Sequence, residues 1–167
     1  MMKIIISSTL AILFVAQSYA ANITEWLLSH NTRRKKYHEA NNKTVVDLKW
    51  STGLWGLAKQ NADVSAQNCA RVAYSGDYGF NGAQFSPQNL TAESALNIWE
   101  GKMSSGYPDN AAITQAIWRA SCYVGCYTAV NDVRKCSVAI CIYAKPGNCN
   151  MVGASGLTTE RSINGRT

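Results

Sequence analysis

The sequence predicts a mixed α+β fold in which helices cover both faces of a small β-sheet. Residues 136–144 form an apolar run whose alternate side chains face opposite ways, and neither face is polar. A strand that is apolar on both faces lies inside a sheet that is covered on both sides. Three earlier segments, beginning near residues 22, 51 and 91, place apolar residues at helical spacing. The sequence therefore predicts one domain with three layers, α-β-α.

The first two helices have recognisable start signals. Asn22 followed by Glu25 has the spacing of a capping box, which predicts that the first helix begins at Asn22. Ser51 or Thr52 can cap a second helix, which runs to about Cys69 with small and apolar residues along one face.

The rest of the chain alternates turns, short helices and strands. Residues 70–89 are rich in glycine and predict a loop. Thr91 can cap a third helix, and Asn110 a short fourth one. Two strands follow, over about 122–130 and 136–144, joined by a polar turn.

Residues 1–20 have the pattern of a secretory signal peptide. Lys3 gives a basic start, residues 4–15 are mostly apolar, and Ser18 and Ala20 place small residues at the cleavage positions. The alternative is a retained membrane anchor, but the apolar run is short for a transmembrane segment. Cleavage would leave 147 residues (167 − 20) as an extracellular protein.

The cysteines agree with an oxidising compartment. Their even number leaves no thiol over, which favours disulfide bonds in a secreted domain. A zinc site built from the Cys-x3-Cys and Cys-x4-Cys pairs is the alternative, but this spacing is unusual for zinc. The six are Cys69, Cys122, Cys126, Cys136, Cys141 and Cys149.

The chain is basic, with a net charge of +6 that becomes +5 once Lys3 is removed. The densest cationic cluster is Arg33 to Lys36. It is either a solvated helix face or a patch for an anionic glycan, a lipid head group or another cell-surface partner. No basic motif interleaved with aromatic residues is present, so nucleic acid is not an expected partner.

Three acceptor patterns for N-linked glycosylation begin at Asn22, Asn42 and Asn89. We predict glycan at Asn22 and Asn42, which makes the protein a glycoprotein.

Seven short motifs occur in an order and at spacings that resemble the CAP superfamily, which comprises cysteine-rich secretory proteins, insect venom antigen 5 and plant pathogenesis-related protein 1. The resemblance covers residues 24–149. The motifs are His30-Asn31-x-x-Arg34, Leu48-Lys49-Trp50, Gln88-Asn89-Leu90, Ala95-x3-Trp99, Thr114 to Trp118, Val124-Gly125-Cys126 and Ile140 to Asn148.

The resemblance implies a three-layer α-β-α sandwich of the CAP type over residues 21–150, followed by a flexible basic tail over residues 151–167. It also implies secretion and a domain without a settled enzymatic activity. By analogy with family members, it implies the disulfides Cys69–Cys136 and Cys126–Cys141, and it leaves Cys122 and Cys149 as the third pair.

Many CAP domains hold two histidines and two glutamates in a central cleft, where the histidines can bind a divalent metal. The matching positions here are Tyr74, Gln88, Lys102 and Ala112. None of these supplies the carboxylate base or imidazole ligand of the family, so we expect no catalytic residue, no metal and no cofactor in this degenerate cleft. Gln115 would line the cleft as a ligand contact.

We therefore expect a secreted, non-enzymatic CAP-domain protein that binds a sterol, a fatty acid or a surface partner. One alternative is a secreted hydrolase of the protease kind, which would need a nucleophile and a base that the sequence does not reveal. Another is a defence or virulence effector that acts through its basic surface. No transmembrane segment is expected in the mature protein.

Overall fold

The computed structural model describes residues 8–71, 73–85 and 90–148, with side chains from residue 22 onward. The predictions for Gln88, Asn89, Cys149 and the tail 151–167 lie outside the described residues. The elements are α1 Ser8–Ala40, β1 Lys49–Trp50, α2 Thr52–Gln67, β2 Gly79–Phe85, α3 Ala92–Glu100, a 3-10 turn Met103–Ser105, α4 Ala111–Ala116, β3 Tyr123–Asn131 and β4 Cys136–Ala144.

The four strands form one sheet in the order β1-β3-β4-β2. β4 pairs antiparallel with both β3 and β2, whereas the two-residue β1 runs parallel to β3. Alternate residues of β4 enter two different cores. Val138, Ile140 and Ile142 pack with α2, whereas Ala139, Cys141 and Tyr143 pack with residues of α1, α3 and α4. The predicted three layers are therefore confirmed.

The predicted caps of α2 and α3 are confirmed. Ser51 accepts a hydrogen bond from the Leu54 backbone N–H at 3.3 Å. Thr91 and Ser94 bond reciprocally to each other's backbone and form a capping box. Both caps satisfy N–H groups that the helix itself cannot.

The predicted start of the first helix at Asn22 is wrong. α1 runs without a break from Ser8, so Asn22 has no free helix end to cap. The Glu25 carboxylate instead accepts a hydrogen bond from the Ala92 backbone N–H at 2.9 Å, at the start of α3. Within the described parts of the chain, no helix combines the length and apolar character needed to cross a membrane.

The prediction of a continuous loop over residues 70–89 is also wrong, because it contains β2. This strand pairs along its whole length with β4, from Gly79 opposite Tyr143 to Phe85 opposite Ser137. Glycine at position 79 is required by packing, since a Cβ there would overlap the side chain of Gln115. Gly79, one of the glycines that suggested a loop, is therefore needed for close packing within a strand.

Two disulfides are present among the described residues. Cys69–Cys136 joins the end of α2 to the start of β4, and Cys126–Cys141 joins facing residues of β3 and β4. These are two of the three pairs that the resemblance implies. Because the sulfurs of these four residues are bonded in pairs, the alternative of a zinc site is wrong. Cys122 is exposed, and the third pair needs Cys149, outside the described residues.

Candidate functional site

The structure does not bring the degenerate cleft positions together. Tyr74 packs against the α2 core and stacks on Phe80, with ring centroids 5.1 Å apart. Ala112 packs against the opposite core, with α1 and α3. Lys102 is exposed just beyond the end of α3. Of the three described positions, Tyr74 and Ala112 thus pack against different cores and only Lys102 is exposed.

Gln115, predicted to contact a ligand, is instead almost fully buried. Its amide donates a hydrogen bond to the Ser121 hydroxyl at 3.1 Å and accepts one from the Gly147 backbone N–H at 2.6 Å. Ser121 in turn donates to the Lys145 carbonyl at 2.6 Å. Gln115 thus holds the segment after β4 against α4, and both ends of its amide are used within the fold.

A buried chain of hydrogen bonds runs through the core near α4. The His30 imidazole donates from Nδ1 to the Trp26 carbonyl at 2.8 Å, because a carbonyl can only accept. Its Nε2 therefore accepts from the Tyr143 hydroxyl, also at 2.8 Å. Asn81 donates to the Tyr143 oxygen at 3.0 Å and to the Ala112 carbonyl at 2.7 Å.

Burial within this series of hydrogen bonds keeps both His30 and Tyr143 uncharged. Burial lowers the pKa of His30 to about 4 and outweighs the raising effect of its bond to Trp26. Burial also raises the pKa of Tyr143. Both groups are therefore neutral at physiological pH. Asn81 was missed by the sequence interpretation, because it lies in the strand that was taken for a loop.

The residues present do not fit the divalent metal of related clefts. One nitrogen of His30 and the sulfurs of Cys126 and Cys141 lie within 4.8 Å of one another. However, these two sulfurs are bonded to each other and are not thiolates, so they are not metal ligands. At the cleft positions Tyr74, Lys102 and Ala112 supply no carboxylate or imidazole.

The buried histidine predicts a loss of stability in acid. The folded pKa of His30, about 4, lies below the unfolded value of 6.5. The unfolded chain therefore binds more protons in this window, and the free energy of unfolding falls as the pH drops from 6.5 to 4, by about 3 kcal/mol for this group. Arg33 and Arg34 act in the same direction, since their charges oppose protonation.

Chemical unfolding at pH 7, 6 and 5 checks this expectation, in a range where carboxylates stay ionised. His30→Gln should be less stable at pH 7 but should show a flatter pH dependence than the unmodified protein. The second histidine, His38, also has a pKa lowered by burial, so the difference between the two proteins is the quantity to compare. Parallel pH profiles would contradict the assignment.

The interpretation of Arg33 to Lys36 as a solvated face or a patch for anionic partners requires correction, because Arg33 is only 5% exposed. Its guanidinium binds Glu93 through two bonds of 2.7 and 3.1 Å and Glu100 at 2.8 Å. It also donates to the Asn97 amide oxygen and the Ser29 carbonyl. All five donors of this side chain are used, four of them to join α1 to α3 and the fifth within α1.

Glu93 and Glu100 are thus part of an ion-pair cluster with Arg33. The bond from Arg33 lowers the pKa of Glu93. Burial raises the pKa of Glu100, but hydrogen bonds from Lys36 and Tyr37 outweigh it, so the net shift is downward. Both carboxylates are held ionised by their neighbours and are poor candidates for an acid catalyst.

Arg34 is fully buried and bonds to backbone alone. Its pKa is lowered to about 10 by burial, so the guanidinium stays charged at neutral pH. Of the original cluster only Lys35 and Lys36 are exposed, and Lys36 pairs with Glu100 at 2.6 Å. The carbonyls that Arg34 binds belong to Val46, Ala116, Trp118, Arg119 and Ser121.

Comparison of the sequence with known proteins identifies the family of this chain. Residues 27–143 match the model of the cysteine-rich secretory protein family, CAP. Pathogenesis-related protein 1B of Nicotiana tabacum is 30% identical over 159 residues, which cover 86% of this chain and 88% of the relative.

Solved structures show the same fold. Venom allergen-like protein 4 of Schistosoma mansoni has a TM-score of 0.59 at 22% identity, covering 76% of this chain and 90% of its own. The structure of NaASP2 with Zn2+ has a TM-score of 0.61 at 16% identity, covering 76% and 80%. The chain belongs to the cysteine-rich secretory protein (CAP) family.

Proposed function

We propose that this protein is secreted after removal of residues 1–20 and acts as a non-enzymatic binding module for a sterol or a fatty acid. Membership of a family named for secretion supports the first part. The second part is carried by one observation, a group of exposed and half-buried aromatic rings just before and at the start of β2. We refer to residues 74–80 as the aromatic loop.

The aromatic loop contains three rings within seven residues. Tyr74 is half-buried and lies parallel to Phe80, with 8° between the ring planes. Tyr78 is 43% exposed. The loop covers the part of the sheet next to α2, where Phe80 packs against the α2 core. Flat aromatic surface beside an apolar core suits the face of a sterol ring system or an acyl chain.

The hydrogen bonds and burial of the two histidines argue against the alternative of a hydrolase. Among the described residues, His30 bonds to Trp26 and Tyr143, and the other histidine, His38, bonds to the Ile117 carbonyl at 3.0 Å. Both imidazoles are fully buried. A base that activates a serine or cysteine must reach that nucleophile, and neither histidine is placed to do so.

Titration with cholesterol and with palmitate tests the proposal. The expected result is saturable binding that weakens about tenfold, or about 1.4 kcal/mol, in the double variant Tyr74→Ser/Tyr78→Ser, because apolar contact area is lost. Tyr123→Ser is the matched control, since Tyr123 is a similarly exposed tyrosine, 46%, on β3. Equal affinity in all three proteins would move the site elsewhere, and absence of binding would exclude the lipid function.

A further inference from the structure

The turn after α1 holds Asn42 in a fixed and unusual conformation. Asn42 has a φ of 55°, in the left-handed region that asparagine tolerates better than most residues. Its backbone N–H bonds to the Glu39 carbonyl at 3.0 Å, and that of Lys43 bonds to the His38 carbonyl at 2.9 Å. This pair of bonds is the Schellman motif, which closes the helix.

The acceptor pattern Asn42-Lys43-Thr44 lies entirely on the surface. All residues from 41 to 44 are exposed, and the chain from residue 43 to residue 48 is neither helix nor strand. The acceptor amide and the threonine are therefore accessible in the folded protein. A large polar glycan at this turn would displace no packed side chain and bury no polar group.

The other two acceptor patterns lack this support. Removal of residues 1–20 would leave Asn22 as the second residue of the chain, and both Asn22 and Ile23 are half-buried. Asn89 lies outside the described residues. The structure thus separates Asn42 from Asn22, which the sequence patterns treat alike.

We propose that Asn42 carries an N-linked glycan, an inference that rests on the secretion part of the proposed function. In the reaction, Asn42 Nδ2 forms a bond to C1 of the first sugar of a lipid-linked oligosaccharide. The bond from that C1 to the pyrophosphate oxygen breaks, the amide loses one proton, and the lipid pyrophosphate leaves. The donor is supplied by the secretory compartment in which such chains are made.

A purely structural explanation competes with this one, because asparagine is also favoured at a Schellman turn. Three variants separate the two roles. Thr44→Ala removes the acceptor pattern but keeps the asparagine cap. Asn42→Gly keeps or improves the left-handed turn but removes the acceptor amide. Thr44→Ser retains both.

The experiment is expression of the full chain in eukaryotic secretory cells, with intact mass measured in the medium and in the cells. Peptide mapping follows release of glycans by an amidase in ¹⁸O water, which converts a glycosylated asparagine to labelled aspartate. The expected result is one labelled aspartate at position 42, retained in Thr44→Ser and lost in both Thr44→Ala and Asn42→Gly.

An unmodified Asn42 in protein recovered from the medium would overturn the proposal, as would label confined to Asn22 or Asn89. Glycosylated protein that stays in the cells would support the glycan and contradict secretion. Protein that is neither exported nor modified would overturn both, so failure of the glycan and failure of the export remain distinguishable.

Discussion

Replacing Arg34 with methionine is expected to lower the free energy of unfolding by about 4 kcal/mol. Methionine preserves much of the apolar stem but removes every donor of the guanidinium. The five backbone carbonyls that it binds would lose a partner, and three of these bonds, to Ala116, Trp118 and Ser121, are buried. Urea unfolding followed by tryptophan fluorescence measures the change.

The neighbouring cation provides the control. Lys36 has a side chain that is 62% exposed and pairs with Glu100 at the surface. Lys36→Met should cost less than about 1 kcal/mol, because exposed ion pairs contribute little. A loss for Arg34→Met no larger than this would mean that Arg34 does not hold the fold together. Arg34→Lys should also destabilise, since three donors on one nitrogen cannot reach five carbonyls.

Gly125→Ala is expected to destabilise the protein by about 3 kcal/mol, although it adds a single methyl group. A Cβ at position 125 would overlap the backbone of Leu54 and Trp55 in the first turn of α2. Backbone cannot rotate away as a flexible side chain can. The helix would have to lift from the sheet, which would uncover the apolar face that Ile140 and Ile142 form against it.

The same substitution at a second glycine is the matched control. Gly56 lies inside α2, and a Cβ there would meet no atom within 4 Å. Gly56→Ala should therefore stabilise the helix by about 0.5 to 1 kcal/mol. Opposite signs of the two changes, measured by denaturant unfolding, are the expected outcome. Equal effects would contradict the close approach of α2 to β3.

Strand β4 and the start of helix α3 could be predicted from the sequence, because the local conformational preferences of their residues agree with the tertiary packing. The apolar run 136–144 predicts a covered strand, and the structure buries it from Cys136 to Tyr143. Thr91 predicts the start of α3, because a capping hydrogen bond involves only residues within the first turn of the helix. β2 could not be predicted from local preferences, since Gly79 and Gly82 have low strand propensity. Their strand conformation depends on pairing with β4 and on the side chains that pack closely against them.

The candidate site was predictable only in part, because sequence neighbours on a helix are not spatial neighbours. Successive residues turn by about 100° around the axis, so four consecutive cations cannot share one face. Arg33 and Arg34 accordingly enter the interior in different directions, toward α3 and toward the loop after α4. Similarly, the motif position of Tyr74 gave no indication that it would stack on Phe80, since that partner lies in the unpredicted strand.

The hydrogen bonds from Arg34 to backbone carbonyls affect which sequence changes are tolerated in the segments before β1 and between α4 and β3. Every residue type carries a backbone carbonyl, so Val46, Ala116, Trp118, Arg119 and Ser121 supply the same oxygen whatever their side chains. A substitution leaves the bonds to Arg34 intact as long as the length and path of these segments are kept, which at Trp118 and Ser121 also depends on their buried side chains. The attachment of Arg34 therefore constrains the length and path of these segments, and insertions there should weaken it far more than replacements at exposed positions.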